Sequence, residues 1–207
     1  MKVKVCGITR KEDLQAMNHF QTPVDFVGFV LYVHSKRYAG NYLKELAQTT
    51  ICANTSRVGV FVNENAESVL KISEEHGFDY AQLHGNESPE YCNKIREAVK
   101  VIKAFNVDEA FDFNKLKSYD SACDFFLFDA EGKLPGGNSI TYDWSLLQRY
   151  EMSKPFFLSG GIGPAHIEQL KSFRHPSLFA VDINSGFETS AGVKDTAMID
   201  SFIKNLK

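Results

Sequence analysis

The chain has 207 residues, 43% of them hydrophobic, so it can bury one substantial core, and nothing in it resembles a linker between two cores. We therefore expect one domain over residues 1–207. The formal net charge of −3 and the pI near 6.1 come from interspersed charges without a basic stripe, which argues against nucleic acid and anionic membranes as partners and favours a small molecule.

Two features of the N-terminal part argue against export or membrane insertion. Residues 1–6 (MKVKVC) alternate charged and apolar side chains, where a signal peptide would need an unbroken apolar stretch. The longest nearly apolar run, residues 24–33, contains Asp25 and is far shorter than the roughly 20 residues that span a bilayer. We expect a cytoplasmic protein with no membrane partner.

The cysteines and histidines give no pattern of metal ligands. Cys6, Cys52, Cys92 and Cys123 lack a C-x-x-C spacing and are best interpreted as reduced thiols. Cys52 and Cys92 fall in predicted helical stretches, where a thiol usually serves as a small core side chain. The histidines show no H-x-x-x-H grouping, so we predict no metal site.

Apolar runs of strand length recur along the chain, each followed by a stretch with helical periodicity. The predicted strands are residues 2–6, 25–31, 57–62, 79–84, 100–105, 124–129, 156–159 and 178–183. Repeated strand-helix units of about 25 residues favour an α/β fold, a (β/α)₈ TIM barrel. An open doubly wound sheet is the alternative, but the G-x-G-x-x-G turn that such sheets carry does not occur.

Capping residues, Pro and Gly mark the predicted helix boundaries. The predicted helices are residues 11–20 capped by Thr9, 68–76 ended by Gly77, one opened by Ser88-Pro89-Glu90, one started by Pro164 at Ala165, and 193–206. Two further helices, at residues 108–119 and 142–150, are short and have the weakest signals.

Strand alternation predicts which side chains share the barrel interior. The pairs on one face are Lys4 with Cys6, Gln82 with His84, Leu127 with Asp129, and Ala180 with Asp182. Carboxylates and thiols at the C-terminal ends of parallel strands are typical of barrel active sites. A lone strand-end cysteine can be a buried small hydrophobe, but core packing does not explain a thiol, an imidazole and two carboxylates at one rim.

Glycine-containing turns follow the last two predicted strands. Gly160-Gly161 follows strand seven and Ser185-Gly186 follows strand eight, and barrels commonly bind phosphate in these two loops. We therefore predict a phosphorylated substrate, although a Gly-Gly pair by itself is also a plain tight turn. A third loop, residues 134–139, follows strand six and is predicted either to close over a ligand or to be simply flexible.

The loop after strand two concentrates cationic groups. It reads Tyr32-Val33-His34-Ser35-Lys36-Arg37-Tyr38. Arg37 is suited to bind a carboxylate with two parallel hydrogen bonds, whereas Lys36 is more simply a solvated surface charge. We predict that Arg37 binds substrate.

These motifs resemble those of the phosphoribosylanthranilate isomerases from end to end. The matching segments are KVCGIT at residues 4–9, GF at 28–29, SKRY at 35–38, VGVF at 58–61, QLHG at 82–85, FD at 128–129, GG at 136–137, DW at 143–144, LSGGI at 158–162 and DINSGFE at 182–188. The resemblance implies a (β/α)₈ barrel without cofactor or metal, with Cys6 as general base and Asp129 as general acid. The loop after strand six departs from the family's usual Gly-Gly-Thr-Gly, because Asn138-Ser139 follow Gly136-Gly137.

The family's reaction is an Amadori rearrangement of N-(5-phosphoribosyl)anthranilate in tryptophan biosynthesis. The resemblance implies that phosphate binds at the two glycine turns and the anthranilate carboxylate at Arg37, with His84 and Asp182 lining the same face. Two alternatives remain: another phosphosugar barrel, of the epimerase or indole-glycerol-phosphate synthase type, and a non-catalytic barrel that binds a phosphorylated metabolite. Either a monomer or a homodimer agrees with the sequence.

Overall fold

The computed structural model describes residues 1–130 and 144–207, and in it eight parallel strands close into a barrel in chain order. The strands are β1 (Lys2–Val5), β2 (Phe26–Val30), β3 (Ser56–Phe61), β4 (Tyr80–Leu83), β5 (Lys100–Val107), β6 (Phe125–Ala130), β7 (Phe156–Ser159) and β8 (Leu178–Ile183). Closure is made by β8 and β1, which pair with Lys4 opposite Asp182. The predicted TIM barrel is therefore confirmed, and the open sheet is excluded.

Six α-helices lie among the described residues, on the outside of the strands. They are α1 (Lys11–Met17), α2 (Leu43–Gln48), α3 (Ala66–His76), α4 (Pro89–Arg96), α5 (Ile167–Ser172) and α6 (Thr196–Leu206). Within the described part of the chain, no helix has both the length and the apolar character needed to cross a membrane.

Short 3₁₀ helices occupy the positions of the two weakest helix predictions. Phe113–Tyr119 follows β5, and Trp144–Arg149 precedes β7. Others are Gly40–Tyr42 before α2, Pro164–His166 before α5 and Ser185–Phe187 after β8. The predicted loop at residues 134–139 lies outside the described residues.

Two predicted caps agree with the structure and one does not. The Ser88 hydroxyl accepts a hydrogen bond from the Tyr91 amide at the start of α4, and Gly77 ends α3 in the left-handed conformation. The Thr9 prediction is wrong, because Arg10 precedes α1 as its N-cap residue and the Thr9 hydroxyl donates instead to a carbonyl 183 residues away in sequence. A side chain that can reach a tertiary acceptor need not cap its own helix.

Two further predictions need correction. Cys52 lies outside any helix, in the segment between α2 and β3. The last helix begins at Thr196 rather than at residue 193, because β9 (Glu188–Ser190) and β10 (Val193–Lys194) form a small antiparallel pair first. Asp195 then caps α6 by accepting from the Met198 amide.

The alternation of side chains along the strands separates two apolar layers. One lies between the strands and the helices, and the other fills the barrel interior. The interior layer contains Cys6, Phe26, Val58, Val60, Tyr80, Ile102, Ala104, Leu127, Phe157 and Ala180. This agrees with the predicted inward face of strands one, six and eight.

Candidate active site

A buried ion pair lies next to the Cys6 thiol. Lys4 Nζ is 3.0 Å from each carboxylate oxygen of Asp182, and the two side chains are 0% and 5% exposed. Cys6 follows β1 and its amide donates to the Ile183 carbonyl, so β1 and β8 hold these three groups together. A buried ammonium needs such a partner, because its desolvation otherwise costs several kcal/mol.

Gly28 of β2 makes room for the thiol and the ammonium. A Cβ added at Gly28 would lie 3.0 Å from Cys6 Sγ and 3.1 Å from Lys4 Nζ. Both groups therefore pack against the same bare backbone position. Cys6 is only 5% exposed, which makes it more enclosed than a rim position suggests.

The electrostatic environment of Cys6 has opposing parts. Burial raises the pKa of the Cys6 thiol above its ordinary value, and the charge of Lys4 is the strongest influence that lowers it. Asp182 raises the pKa of the thiol further, whereas Lys194 lowers it. Burial also raises the pKa of Asp182, against the lowering effect of Lys4.

His84 lies between Gln82 and Asp129 at the ends of β4 and β6. His84 Nε2 is 3.3 Å from Asp129 Oδ2, and Gln82 Nε2 is 3.0 Å from His84 Nδ1. If the Gln82 amide nitrogen donates to Nδ1, the neutral imidazole carries its proton on Nε2, the ring nitrogen that is 3.3 Å from Asp129 Oδ2. The charge of Asp129 also contributes to the raised pKa of Asp182, so the two carboxylates are electrostatically coupled.

Arg37 is held by an acidic residue that follows β8. Its Nε and Nη2 donate to the Glu188 carboxylate at 2.7 to 3.0 Å. Glu188 also accepts a hydrogen bond from Lys194 Nζ at 2.7 Å. Glu188 raises the pKa of Arg37, while the hydrogen bonds from Arg37 and Lys194 outweigh burial and lower the pKa of Glu188. Arg37 thus enters the site as part of an ion-paired cluster rather than as a free cation.

The two predicted phosphate turns adjoin each other. Gly160 and Gly161 have φ values of 100° and 59°, a region that favours glycine over other residues. Gly186, in the turn after β8, packs so closely on the Ile162 carbonyl that a Cβ would collide with it. Ser185 and Gly186 are exposed, so this turn is open to a ligand.

The structure therefore brings the sequence-predicted residues into neighbouring groups. Cys6, Lys4 and Asp182 form one, and His84 and Asp129 form another. Glu188 and Lys194 were not identified as site residues from the sequence. For Glu188 the available signal was its place as the last residue of the DINSGFE motif after strand eight, whereas no sequence signal pointed to Lys194. Among residues 1–130 and 144–207, no group of three or more His, Cys, Asp or Glu side chains is arranged to hold a metal ion.

The chain is similar over nearly its whole length to known proteins of one family. A family model described as N-(5'phosphoribosyl)anthranilate (PRA) isomerase matches residues 3–205. The chain is 38% identical over 208 residues to the N-(5'-phosphoribosyl)anthranilate isomerase of Phocaeicola vulgatus, with 100% of this chain and 98% of the relative covered.

Two solved structures are similar over the whole barrel. One is a phosphoribosyl anthranilate isomerase in complex with reduced 1-(o-carboxyphenylamino)-1-deoxyribulose 5-phosphate, with a TM-score of 0.81 and 34% identity. The other contains monomers generated from the dimeric Thermotoga maritima enzyme, with a TM-score of 0.80 and 34% identity. Each match covers 100% of this chain and 98% of the other.

Proposed function

The chain belongs to the N-(5'-phosphoribosyl)anthranilate isomerase family, and from this membership we propose how its residues carry out the reaction. The enzyme is an isomerase of tryptophan biosynthesis that converts N-(5-phosphoribosyl)anthranilate to 1-(2-carboxyphenylamino)-1-deoxyribulose 5-phosphate. We assign Cys6 as general base and Asp129 as general acid. The observation that carries this assignment is the gathering of the thiol and the carboxylates at the C-terminal strand ends of one barrel.

Ring opening is the first step. Asp129 donates a proton to the furanose oxygen while the C1–O bond breaks, and the nitrogen lone pair forms the iminium. The 3.3 Å contact with His84 Nε2 supports Asp129 in this role, because the imidazole stabilises the carboxylate that remains after proton transfer.

Proton abstraction is the second step. The iminium acidifies the C2–H bond, and the Cys6 thiolate removes that proton to give an enolamine. C1 then takes a proton from the Cys6 thiol while the C2 hydroxyl gives its proton to the Asp129 carboxylate, which yields the ketone and restores both groups. The rearrangement is redox-neutral, so it needs no oxidant or reductant. Lys4 and Lys194 favour the thiolate over the thiol, which opposes the effect of burial on the pKa of Cys6.

Two sets of contacts would fix the ends of the substrate. The exposed turn at Ser185-Gly186 and the left-handed turn at Gly160-Gly161 supply backbone N–H groups for the phosphate. Arg37 would bind the anthranilate carboxylate with guanidinium N–H groups beyond those given to Glu188. His84 and Asp182 would line the substrate between these ends, so the reacting carbons lie near Cys6 and Asp129.

We propose further that the chain is a single-domain cytoplasmic enzyme, active as a monomer or a homodimer. One closed barrel runs from β1 to β8, which supports a single domain. The dimeric form of the Thermotoga maritima relative supports the homodimer. Sedimentation of the purified protein over a range of concentrations distinguishes the two.

The deciding experiment is a turnover assay with purified protein. Loss of phosphoribosylanthranilate fluorescence should follow enzyme concentration and should proceed without added cofactor or metal. No turnover above the uncatalysed rate would contradict the proposed function, including the assignments of Cys6 and Asp129.

A further inference from the structure

Besides Lys4–Asp182 and Lys194–Glu188, another buried ion pair lies outside the barrel interior and close to the active-site rim. Lys103 Nζ is 3.0 Å from Glu87 Oε2, and both side chains are 2% exposed. Ile102 and Ala104 belong to the interior layer, so alternation directs Lys103 toward the helices. Burial of two charges is costly unless their hydrogen-bonding groups are satisfied, so the partners of this pair indicate what it holds.

Several partners of the pair flank one residue of the active site. Lys103 Nζ donates to the Leu83 carbonyl at 3.2 Å and to the Gly85 carbonyl at 2.8 Å, and also to the carbonyl of its neighbour Ala104 at 2.9 Å. Glu87 accepts from the Gly85 amide with both oxygens, at 2.9 and 3.0 Å. The residue between Leu83 and Gly85 is His84, so the pair fixes the backbone on both sides of it.

The loop that follows the neighbouring strand β3 also contacts Glu87 and the segment after His84. Asn63 follows β3. Its backbone N–H donates to Glu87 Oε1 at 2.8 Å, and its side-chain oxygen accepts from the Asn86 backbone N–H at 2.7 Å. Asn63 has a φ of 50°, a conformation that asparagine tolerates better than most residues. Its side chain occupies the space where a Cβ at Gly85 would lie.

We propose that the Lys103–Glu87 pair is a positioning device that sets the His84 imidazole against Asp129. This inference rests on the proposed function, since it assumes that Asp129 is the general acid. The 3.3 Å between His84 Nε2 and Asp129 Oδ2 is an ion-pair distance, longer than the distance of about 2.9 Å in a typical N–H···O hydrogen bond, so the contact depends on where the loop holds the imidazole. Neither Lys103 nor Glu87 acts on the substrate in this scheme.

The main test is a double-mutant cycle between Lys103 and His84. Lys103→Met should lower kcat by about 10- to 100-fold with KM changed less than about threefold, as expected when a catalytic group is misplaced. In a His84→Ala background the same substitution should lower kcat by less than about twofold, because its effect passes through His84. Equal fold losses in the two backgrounds would overturn the proposal.

Glu87→Gln provides a second variant that preserves side-chain shape and an acceptor oxygen, in case Lys103→Met does not fold. Glu87→Gln should lower kcat by the same factor as Lys103→Met, and this loss should likewise disappear in the His84→Ala background. The matched control is Lys154→Met, because Lys154 is also a largely buried lysine that donates to a carbonyl, that of Cys123. Lys154→Met should leave kcat unchanged, and a loss equal to that of Lys103→Met would contradict a specific role.

An NMR measurement separates this proposal from the proposed function. The imidazole signals of His84, assigned by their loss in His84→Ala, should shift in Glu87→Gln and not in Lys154→Met. Unchanged signals in Glu87→Gln would overturn the positioning role even in an active enzyme. Wild-type protein without turnover would instead contradict the proposed function, whatever the His84 signals show.

Discussion

Lys4 and Asp182 are directly opposite each other on β1 and β8, and Lys4 Nζ donates to both oxygens of the Asp182 carboxylate at 3.0 Å. The pair joins the two strands that close the barrel, and it does so beside the Cys6 thiol. Its charges act on Cys6 with opposite sign, because Lys4 lowers the pKa of the thiol and Asp182 raises it. The pair is therefore both a structural link and an influence on the proposed base.

Lys4→Met should raise the pKa of Cys6 further, because it removes the strongest influence that lowers it. Since the Cys6 thiolate is the proposed base, the acidic limb of the kcat/KM profile should move to higher pH. The direct measurement is the pH dependence of Cys6 alkylation, followed by mass spectrometry of its peptide. A Cys52→Ser background simplifies this titration, because burial raises the pKa of Cys92 and Cys123 to about 12.

Asp182→Asn is the matched control for that titration. It removes a charge that raises the pKa of Cys6 and keeps Lys4, so the midpoint of alkylation should move to lower pH. Breaking a buried ion pair typically costs about 3–5 kcal/mol, so both variants must be checked for folding by circular dichroism. An unchanged midpoint in a folded Lys4→Met protein would contradict the electrostatic role of Lys4.

Cys6→Ser should lower kcat by about 10²–10⁴-fold with little change in substrate affinity. The hydroxyl has nearly the shape of the thiol, but it is far too weakly acidic to supply a base near neutral pH. Single-turnover kinetics separate the chemical step from binding. A variant that keeps more than roughly a tenth of the wild-type kcat would show that Cys6 is not the base.

Asp129→Asn should cause a loss of similar size, about 10²–10⁴-fold in kcat, because an amide cannot deliver the proton that ring opening requires. The substitution preserves side-chain size and a contact to His84, so substrate affinity should change by less than about threefold. Affinity can be measured with a reduced product analogue by calorimetry. Retention of most of the wild-type kcat would exclude Asp129 as the acid.

Arg37→Ala should weaken binding chiefly of substrates that carry the ortho carboxylate, because it removes the proposed charge-assisted contact, which lies away from the reacting carbons. An analogue without that carboxylate should bind with almost unchanged affinity. Lys194 remains as a partner of Glu188, so the cluster is only partly lost. Equal losses for both compounds would mean that Arg37 serves to hold its loop against Glu188.

Gly28→Ala should reduce kcat while leaving the fold intact. The added methyl would lie 3.0 Å from Cys6 Sγ and 3.1 Å from Lys4 Nζ, so both groups must move by a few tenths of an ångström. Gly77→Ala is a suitable control, because its φ of 62° makes it destabilising while no atom lies within 4 Å of the new methyl. A Gly28→Ala enzyme with wild-type kcat would show that the thiol position tolerates such a shift.

The sequence alone determined the barrel and the identity of most residues at its rim. Apolar runs at regular spacing predict the strands, and the period of two along a strand predicts that Lys4 and Cys6 face inward with Asp182. These features are local in sequence. The topology of a parallel barrel then brings the C-terminal ends of all the strands to one rim. The hydrogen bonds from Lys4 to Asp182 agree with the inward placement of both side chains that alternation predicts.

Tertiary structure decided the partners of the charged and polar side chains. Arg37 pairs with Glu188, which is 151 residues away in sequence, and the Thr9 hydroxyl donates to the Gly192 carbonyl instead of capping α1. Lys103 faces away from the interior, and its contacts with residues 83 and 85 and with Glu87 connect it to His84. A polar side chain can form hydrogen bonds of similar energy with many different acceptors. Which acceptor it reaches depends on how distant loops pack, and sequence periodicity does not encode that packing.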